Sequence, residues 1–519
     1  MKRPMPIAGR PVLRWCAAAG VLTLALFSSA AWADWESGQV QLELVPGASI
    51  EAINARYGST TLDSLPPLYL LQVPVGGNED DLLDALLDDP DVEDGEYSYE
   101  NETPEGTGQM VVTAVGGTID DYLDQRLAER LHLAEIHEVT IGSGVTVAIL
   151  DSGILAEHPA LEGAVLPDGW DFVADDADPT DSANGLDDDN DGAIDEGAGH
   201  GTMIAGIVHL VAPGAKILPI RVLDDEGTGT TFDVAKAIRY ATEHGADVIN
   251  MSFGLTNRSF VIHREIEVAD TLQVVMAAAA GNMNLENPQY FPASDSNVLS
   301  VAALDSADVK ADFSNFHSHV SVSAPGMGVL APYHDGQYAI GAGTSFATPF
   351  ISAQSALLLS LFPELESEAL WELVRTGVID IYDIVENEPY IGKLGSGRLD
   401  GLALRDALAG NAAVGAGSGS FFAGNAPLVC YPNPGAAGAA IDLRLSKAGR
   451  AGIKNGGSAA VRVLDVSGRL LRRLVLRDGA ARWDGRDERG RILPAGTYFV
   501  RIDPDRGGSP AASRVVLTR

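Results

Sequence analysis

Ser345 to Phe362 runs eighteen residues without one charged side chain, through Phe346, Phe350, Ile351, Ala353 and three consecutive leucines at Leu357, Leu358 and Leu359. A helix that is apolar all round must be buried all round, so this stretch demands a domain large enough to close over it. The chain, at 519 residues, exceeds one ordinary domain and can bury such a core. The inner end of the stretch is Gly343-Thr344-Ser345-Phe346-Ala347-Thr348-Pro349, a serine among small residues at a helix start. Backbone N–H groups at a helix start favour negative charge, and small neighbours let a carbonyl approach closely. Both conditions suit a nucleophile.

Upstream, apolar strands alternate with helices. Val145 to Leu150 reads as a strand ending at Asp151-Ser152-Gly153, and His200-Gly201-Thr202 opens an apolar helix from Met203 to Val211. Lys216 to Val222 is a strand, Thr231 to His244 a helix, and Asp247 to Asn250 a strand that ends at Ser252-Phe253-Gly254. Ala277 to Ala280 leads into Gly281-Asn282. This alternation predicts an α/β fold, a doubly wound and mostly parallel sheet with its site at the carboxyl ends of the strands, where Asp151 and Asn282 fall. Taken singly, Asp151 is a turn residue, His200 a helix cap and Asn282 a turn former. Taken together, Asp before His before Ser is one of the chain orders in which a hydrolytic triad occurs.

On these motifs, residues from about Asp120 to Leu408 resemble the subtilisin-like serine peptidases, the subtilases. The resemblance implies that Ser345 is the nucleophile and His200 the general base and later acid. Asp151 would hold the His200 tautomer, and Asn282 would form an oxyanion hole with the Ser345 backbone N–H. It also implies that Ser252, Phe253 and Gly254 line the substrate cleft, with Ala280 and Gly281 as the opposite wall. A protein or peptide substrate would bind there as an added β-strand. The implied activity is that of a serine endopeptidase working through an acyl-enzyme and made as a self-processing zymogen.

The flanks carry further expectations. Lys2, Arg3, Arg10 and Arg14 precede an apolar run from Cys16 to Phe27, and Ala31-Trp32-Ala33 offers a cleavage site. Residues 1–33 therefore read as a signal peptide of a secreted, extracellular protein, and the apolar run is short for a stable membrane span. Residues 34–118 comprise a small α+β unit and a junction. Gln39–Leu44, Ser49–Tyr57, Leu68–Val73 and Asp80–Leu87 read as β-α-β-α, an autonomous unit resembling the family's inhibitory, chaperone-like propeptide. Asn101 to Gly117 reads as an exposed junction open to self-cleavage. The peptidase domain is expected at 119–410 and a Gly/Ala/Ser linker at 411–425. At 426–519 short alternating strands resemble an immunoglobulin-like β-sandwich of the flagellar-hook-cap or sorting type. Contact with a cell surface or sorting machinery, matrix binding and plain stabilisation are all open to it.

The formal charge is −37, and it becomes −41 without the leader, which holds four basic and no acidic residues. Such a balance excludes nucleic acid and anionic lipid as partners and favours cations. Leader removal would leave Cys430 as the sole cysteine, so stability must come from packing or bound ions rather than a disulfide. The stretch Asn184 to Glu196 supplies a D-x-D-x-D-G pattern at Asp187, Asp189, Asp191 and Gly192, with Asp195 or Glu196 to close it. That set suits structural Ca²⁺, although the twelfth position from Asp187 is Ala198, which excludes an EF-hand. A calcium site found in the loop after the triad histidine of some relatives is not carried over, because His209-Leu210-Val211-Ala212-Pro213 leaves almost no loop there. His317 and His319 have metal-pair spacing without other support, and Ser314-Asn315-Phe316 before them resembles the family's surface loop.

Overall fold

The computed structural model describes residues 35–404 apart from 104–111, 188–193, 288 and 364, and beyond 427 it describes the strands together with residues 480–493. The leader, the linker at 411–425, Asp189 and Asp191 lie outside the described residues.

The N-terminal unit comprises β1 (Trp35–Leu44), α1 (Ile50–Tyr57), β2 (Thr60–Leu65), β3 (Leu68–Gln72), α2 (Glu79–Leu87) and β4 (Val92–Glu102). Ser49 and Asn78 cap the two helices, each side chain accepting from the N–H three residues on. Val40, Leu42, Ile53, Leu71, Leu83 and Leu86 form its core. The β-α-β-α expectation missed two strands. β2 (Thr-Thr-Leu-Asp-Ser-Leu) buries neither face, and β4 is an acidic run whose pattern shows no apolar stripe.

The rest of the chain to residue 404 adds β5 (Val112–Val115), β6 (Thr146–Asp151), β7 (Trp170–Asp171), α3 (His200–Val211), β8 (Lys216–Arg221), β9 (Thr228–Thr230) and α4 (Thr231–Glu243). There follow β10 (Val248–Met251), α5 (Phe260–Thr271), β11 (Val275–Ala279), β12 (Leu299–Leu304), β13 (Val320–Pro325), β14 (Met327–Pro332) and β15 (Tyr338–Ala342). The last elements are α6 (Thr344–Leu361), α7 (Ser367–Thr376), β16 (Val378–Ile379) and β17 (Arg398–Leu399). Nine strands form one sheet in the order β16-β17-β13-β12-β11-β10-β6-β8-β7, parallel except at β16.

Successive side chains of β6 go to opposite layers. Val147 and Ile149 join the core under α3 and α6, while Ala148 and Leu150 join the core under α4 and α5. Covering on both faces is what an all-apolar strand requires, and it confirms the α/β, doubly wound class. α6 sits where its sequence demanded, with every residue from Thr344 to Leu359 buried.

The N-terminal unit shares its sheet with the rest of the chain. Its sheet runs β2-β3-β1-β4-β9, so residues 228–230 supply the fifth strand. Its face lies on α4 and α5. Gln41 Nε2 donates to Thr231 Oγ1 at 2.5 Å, and Arg264 grips Glu43 with bonds of 2.8 and 2.9 Å. Glu96 accepts from Ser259 Oγ (2.6 Å) and the Phe260 N–H (3.0 Å) at the start of α5; burial pushes its pKa up to about 7 against those donors.

Past residue 427, strands 428–431, 441–445 and 480–483 form a three-stranded sheet, and strands 435–436, 511–518, 496–502, 459–465 and 470–476 a five-stranded one. Trp483 is fully buried and donates its indole N–H to the Arg486 carbonyl at 2.9 Å.

Candidate active site

Asp151, His200, Asn282 and Ser345 are all buried at the carboxyl end of the central sheet. Asp151 closes β6, and its Oδ1 accepts from His200 Nδ1 at 2.6 Å and from the Ser152 N–H at 2.8 Å. This contact keeps the hydrogen on Nδ1, donated to the carboxylate, and leaves Nε2 as the basic nitrogen. The approach explains Gly201: a Cβ there would lie 2.1 Å from the Gly153 carbonyl oxygen and 3.1 Å from Asp151 Cβ. Phe346, next to Ser345, packs edge-on against the His200 ring with centroids 5.7 Å apart. Ser252 Oγ donates to the Ser345 carbonyl at 2.9 Å and accepts from Asn250 Nδ2, so the start of α6 is tied to the end of β10.

Asn282 is held by its oxygen. Oδ1 accepts from the Thr344 N–H and the Thr344 hydroxyl, each at 2.9 Å, which fixes the amide plane beside Ser345. Gly281 precedes it at φ 97°, and a Cβ there would lie 2.3 Å from Asn315 Nδ2.

Sequence reasoning missed Asn315. It sits in the stretch expected to be a surface loop, yet it is buried, and its side chain clamps Ala280, Met283 and Leu285 through bonds of 2.9, 3.1 and 3.0 Å. Nothing in a single sequence marks such a clamp. His317 uses both ring nitrogens locally, Nδ1 accepting from the His319 N–H and Nε2 lying 3.3 Å from Ser294 Oγ.

The helix that bears His200 has an unexpected anchor. Asp181 Oδ1 accepts from the Gly199 N–H (2.9 Å) and Oδ2 from Thr202 Oγ1 (2.6 Å), while Thr202 Oγ1 accepts from the Leu155 N–H (3.0 Å). Burial pushes the Asp181 pKa up to about 6 against these two bonds.

The end of β4 lies between β9 and Gly254. Glu100, Asn101 and Glu102 pair antiparallel with Thr230, Gly229 and Thr228 of β9. On its other edge the Glu102 N–H donates to the Gly254 carbonyl (3.2 Å) and the Gly254 N–H to Glu102 (3.0 Å). The Thr103 N–H donates to the Gly227 carbonyl at 3.1 Å. The expected exposed junction therefore begins later than supposed, because Asn101 in the strand and Thr103 just past its end are buried. Asn101 is fully enclosed, and neither atom of its amide makes a hydrogen bond. Of the expected cleft residues Gly254 meets this strand, whereas Phe253 is fully buried in the core under α4 and α5. Ala280 and Gly281 are buried beside Asn282.

In the acidic loop, Asp195 accepts from the N–H groups of Asn184 (2.8 Å) and Gly185 (2.9 and 3.1 Å), closing the neck. Asp187 Oδ1 is buried and accepts no hydrogen bond. A hard cation takes such an oxygen, so Asp187 fits a calcium ligand. Among the described residues no three acidic or histidine side chains converge on a metal position.

Comparison with known proteins agrees with this geometry. The model of the Subtilase family matches residues 142–395. The chain is 37% identical to thermitase of Thermoactinomyces vulgaris over 253 residues, which is 46% of this chain and 85% of thermitase. It is 34% identical to subtilisin DY of Bacillus licheniformis over 238 residues, 44% of this chain and 80% of that protein. Fervidolysin from Fervidobacterium pennivorans, a keratinolytic enzyme related to subtilisin, shares the fold with a TM-score of 0.61 at 22% identity, over 90% of this chain and 71% of its own. The chain belongs to the subtilase family and is a serine endopeptidase.

Proposed function

We propose that Ser345, His200 and Asp151 hydrolyse peptide bonds through an acyl-enzyme in a secreted enzyme made as a self-processing zymogen. The observation that carries this reading is the buried 2.6 Å contact between His200 and Asp151, beside a helix start that bears Ser345. His200 Nε2 takes the Ser345 hydroxyl proton as Oγ attacks the scissile carbonyl carbon. The oxygen that becomes negative receives hydrogen bonds from Asn282 Nδ2 and the Ser345 backbone N–H. His200 then gives its proton to the leaving amine, and water, deprotonated by the same nitrogen, releases the acid. Asp151 keeps the imidazole in the required tautomer and stabilises its cation.

Substrate chains would take the place that β4 occupies between β9 and Gly254, held mainly by backbone bonds, so broad sequence tolerance follows. Residues 34–118 act as the inhibitory propeptide, supported by the end of β4 lying in that place. Asp187, with Asp189, Asp191 and Asp195, would hold a structural calcium ion, which would brace the loop before His200. The domain limits are 1–33 (signal), 34–118 (propeptide and junction), 119–410 (peptidase), 411–425 (linker) and 426–519 (immunoglobulin-like module), whose two sheets suit a sandwich. That module suits contact with a surface or sorting machinery. No described helix is long and apolar enough to cross a membrane.

The test is Ser345→Ala. It should abolish self-cleavage, casein hydrolysis and labelling by a fluorophosphonate, and equal labelling of variant and wild type would overturn the assignment.

A further inference from the structure

Lys310 is 4% exposed, and its ammonium sits in a cage of oxygens. Nζ donates to Asn284 Oδ1 (2.9 Å) and to the carbonyls of Ala311 and Ser314 (2.8 Å each), with the Asp312 carbonyl at 3.4 Å. The rings of Phe316 and Tyr390 close the remaining sides, their centroids 5.4 and 5.1 Å away. An ammonium has three hydrogens to donate, and here each finds an oxygen while the ring faces meet the rest of the charge. The Lys310 N–H donates to Asn387 Oδ1 at 2.9 Å, which fixes the root of the side chain. Burial pushes the pKa down to about 8, opposed by the charge of Asp312.

Burying an ammonium is unfavourable unless it is fully bonded, and an apolar side chain would fill the same volume without that penalty. What the charge adds is direction. It draws backbone carbonyls at 311 and 314 and the Asn284 amide oxygen to one point, closing the turn from Ala311 to Ser314. That turn holds the loop bearing Asn282. The Asn284 N–H donates to the Phe313 carbonyl (2.6 Å), the Asn315 N–H donates to the Gly281 carbonyl (2.8 Å), and the Asn315 side chain clamps Ala280, Met283 and Leu285. The loop from Gly281 to Leu285 is thus fastened to a turn whose centre is the Lys310 ammonium.

We propose that Lys310 is a positioning residue for the oxyanion asparagine, its ammonium acting as a tethered cation in a built cation cage. The inference rests on the reading of Asn282 as an oxyanion donor. The distinctive consequence is chemical rescue. Lys310→Ala leaves the cage without its cation, and a free primary alkylammonium can supply three donors to the same oxygens.

The experiment compares Lys310→Ala, Asn284→Gly and Asn282→Ala as enzymes processed from the full chain, on a peptide anilide. Asn282→Ala should lose about 10²–10³ in kcat, the range for removing one such donor. Lys310→Ala should lose about tenfold or more in kcat with KM nearly unchanged, because ground-state binding is untouched. n-Propylammonium should restore kcat in a saturable way, and tetramethylammonium at equal ionic strength should not, since it cannot donate. Asn284→Gly should move kcat in the same direction. Asn284 is exposed at φ 53°, which glycine adopts freely, so the fold survives and only the amide contact is lost. Should Lys310→Ala fail to fold, Asn284→Gly decides. Wild-type kcat in either variant beside an impaired Asn282→Ala, or equal rescue by tetramethylammonium, would overturn the proposal. An unimpaired Asn282→Ala would instead strike the oxyanion reading itself and take this inference with it.

Discussion

On the proposed propeptide role of residues 34–118, Asn101→Leu should lengthen the life of the docked segment. Asn101 is fully enclosed on the stretch of β4 between β9 and Gly254, and both polar atoms of its amide go unbonded there. When the strand leaves, water satisfies both, so the penalty falls on the docked state alone. Each unpaired buried group costs about 1–3 kcal/mol. Leucine, of similar size, removes that penalty and gains about 1.5–3 kcal/mol of apolar burial. The low end of each contribution, taken over both atoms and the leucine, already strengthens docking by about 3.5 kcal/mol, or more than 10²-fold, and such gains appear mostly as slower dissociation. The assay follows the full chain along two time courses. Gel electrophoresis reports the cut, and anilide hydrolysis reports the opening of the cleft. The interval between them should lengthen by roughly two orders of magnitude in Asn101→Leu. It should shorten in Asn101→Asp, which adds a buried charge. An interval that leucine leaves unchanged or shortens would refute the reasoning.

Two further outcomes are expected. The Asp181 pKa is raised from 3.8 to about 6, so its contribution to stability is fully present below about pH 4 and is lost as pH rises through 6. The melting temperature of wild type relative to Asp181→Asn should therefore climb as pH falls from 7 to 4 in scanning calorimetry, and a flat difference would contradict the burial argument. Chelation with EDTA should lower the melting temperature, and added Ca²⁺ should restore it. Asp187→Ala should blunt both effects, and an unchanged melting curve in wild type would count against the calcium site.

The parts legible from sequence are those whose burial is complete. β6, β8, β10 and β11 are apolar along their length because helices cover both faces, and α6 is apolar all round for the same reason. Their boundaries fell within one or two residues, and four motifs in order led to Asp151, His200, Asn282 and Ser345. What stayed hidden depends on distant partners. β9 is only Thr-Gly-Thr and is a strand because the end of β4 lies beside it, some 130 residues away, while β4, acidic at five of its eleven positions, is held by β1 along most of its length and by β9 at its end. Asn315, Lys310 and Asp181 are polar residues whose bonds cross between loops. Periodicity reports which face of an element is buried, not what a buried polar group will touch. Hence a stretch that reads as a surface loop holds the clamp on the loop that bears Asn282.

The two ends of the eight-residue connection 104–111 are anchored in different places. Thr103 is fixed beside Gly227, while β5 pairs with β15 on the strand that leads into α6. A cut between them removes neither set of bonds. What changes is the concentration at which the cleft sees its occupant. On the proposed self-processing, the tether would present β4 at an effective millimolar level before the cut; afterwards the released segment would be a separate molecule, present only at the concentration of the enzyme itself. Dilution alone then favours its departure. A chain exported into a large volume would open on its own, and the same chain held at high density would stay closed for longer.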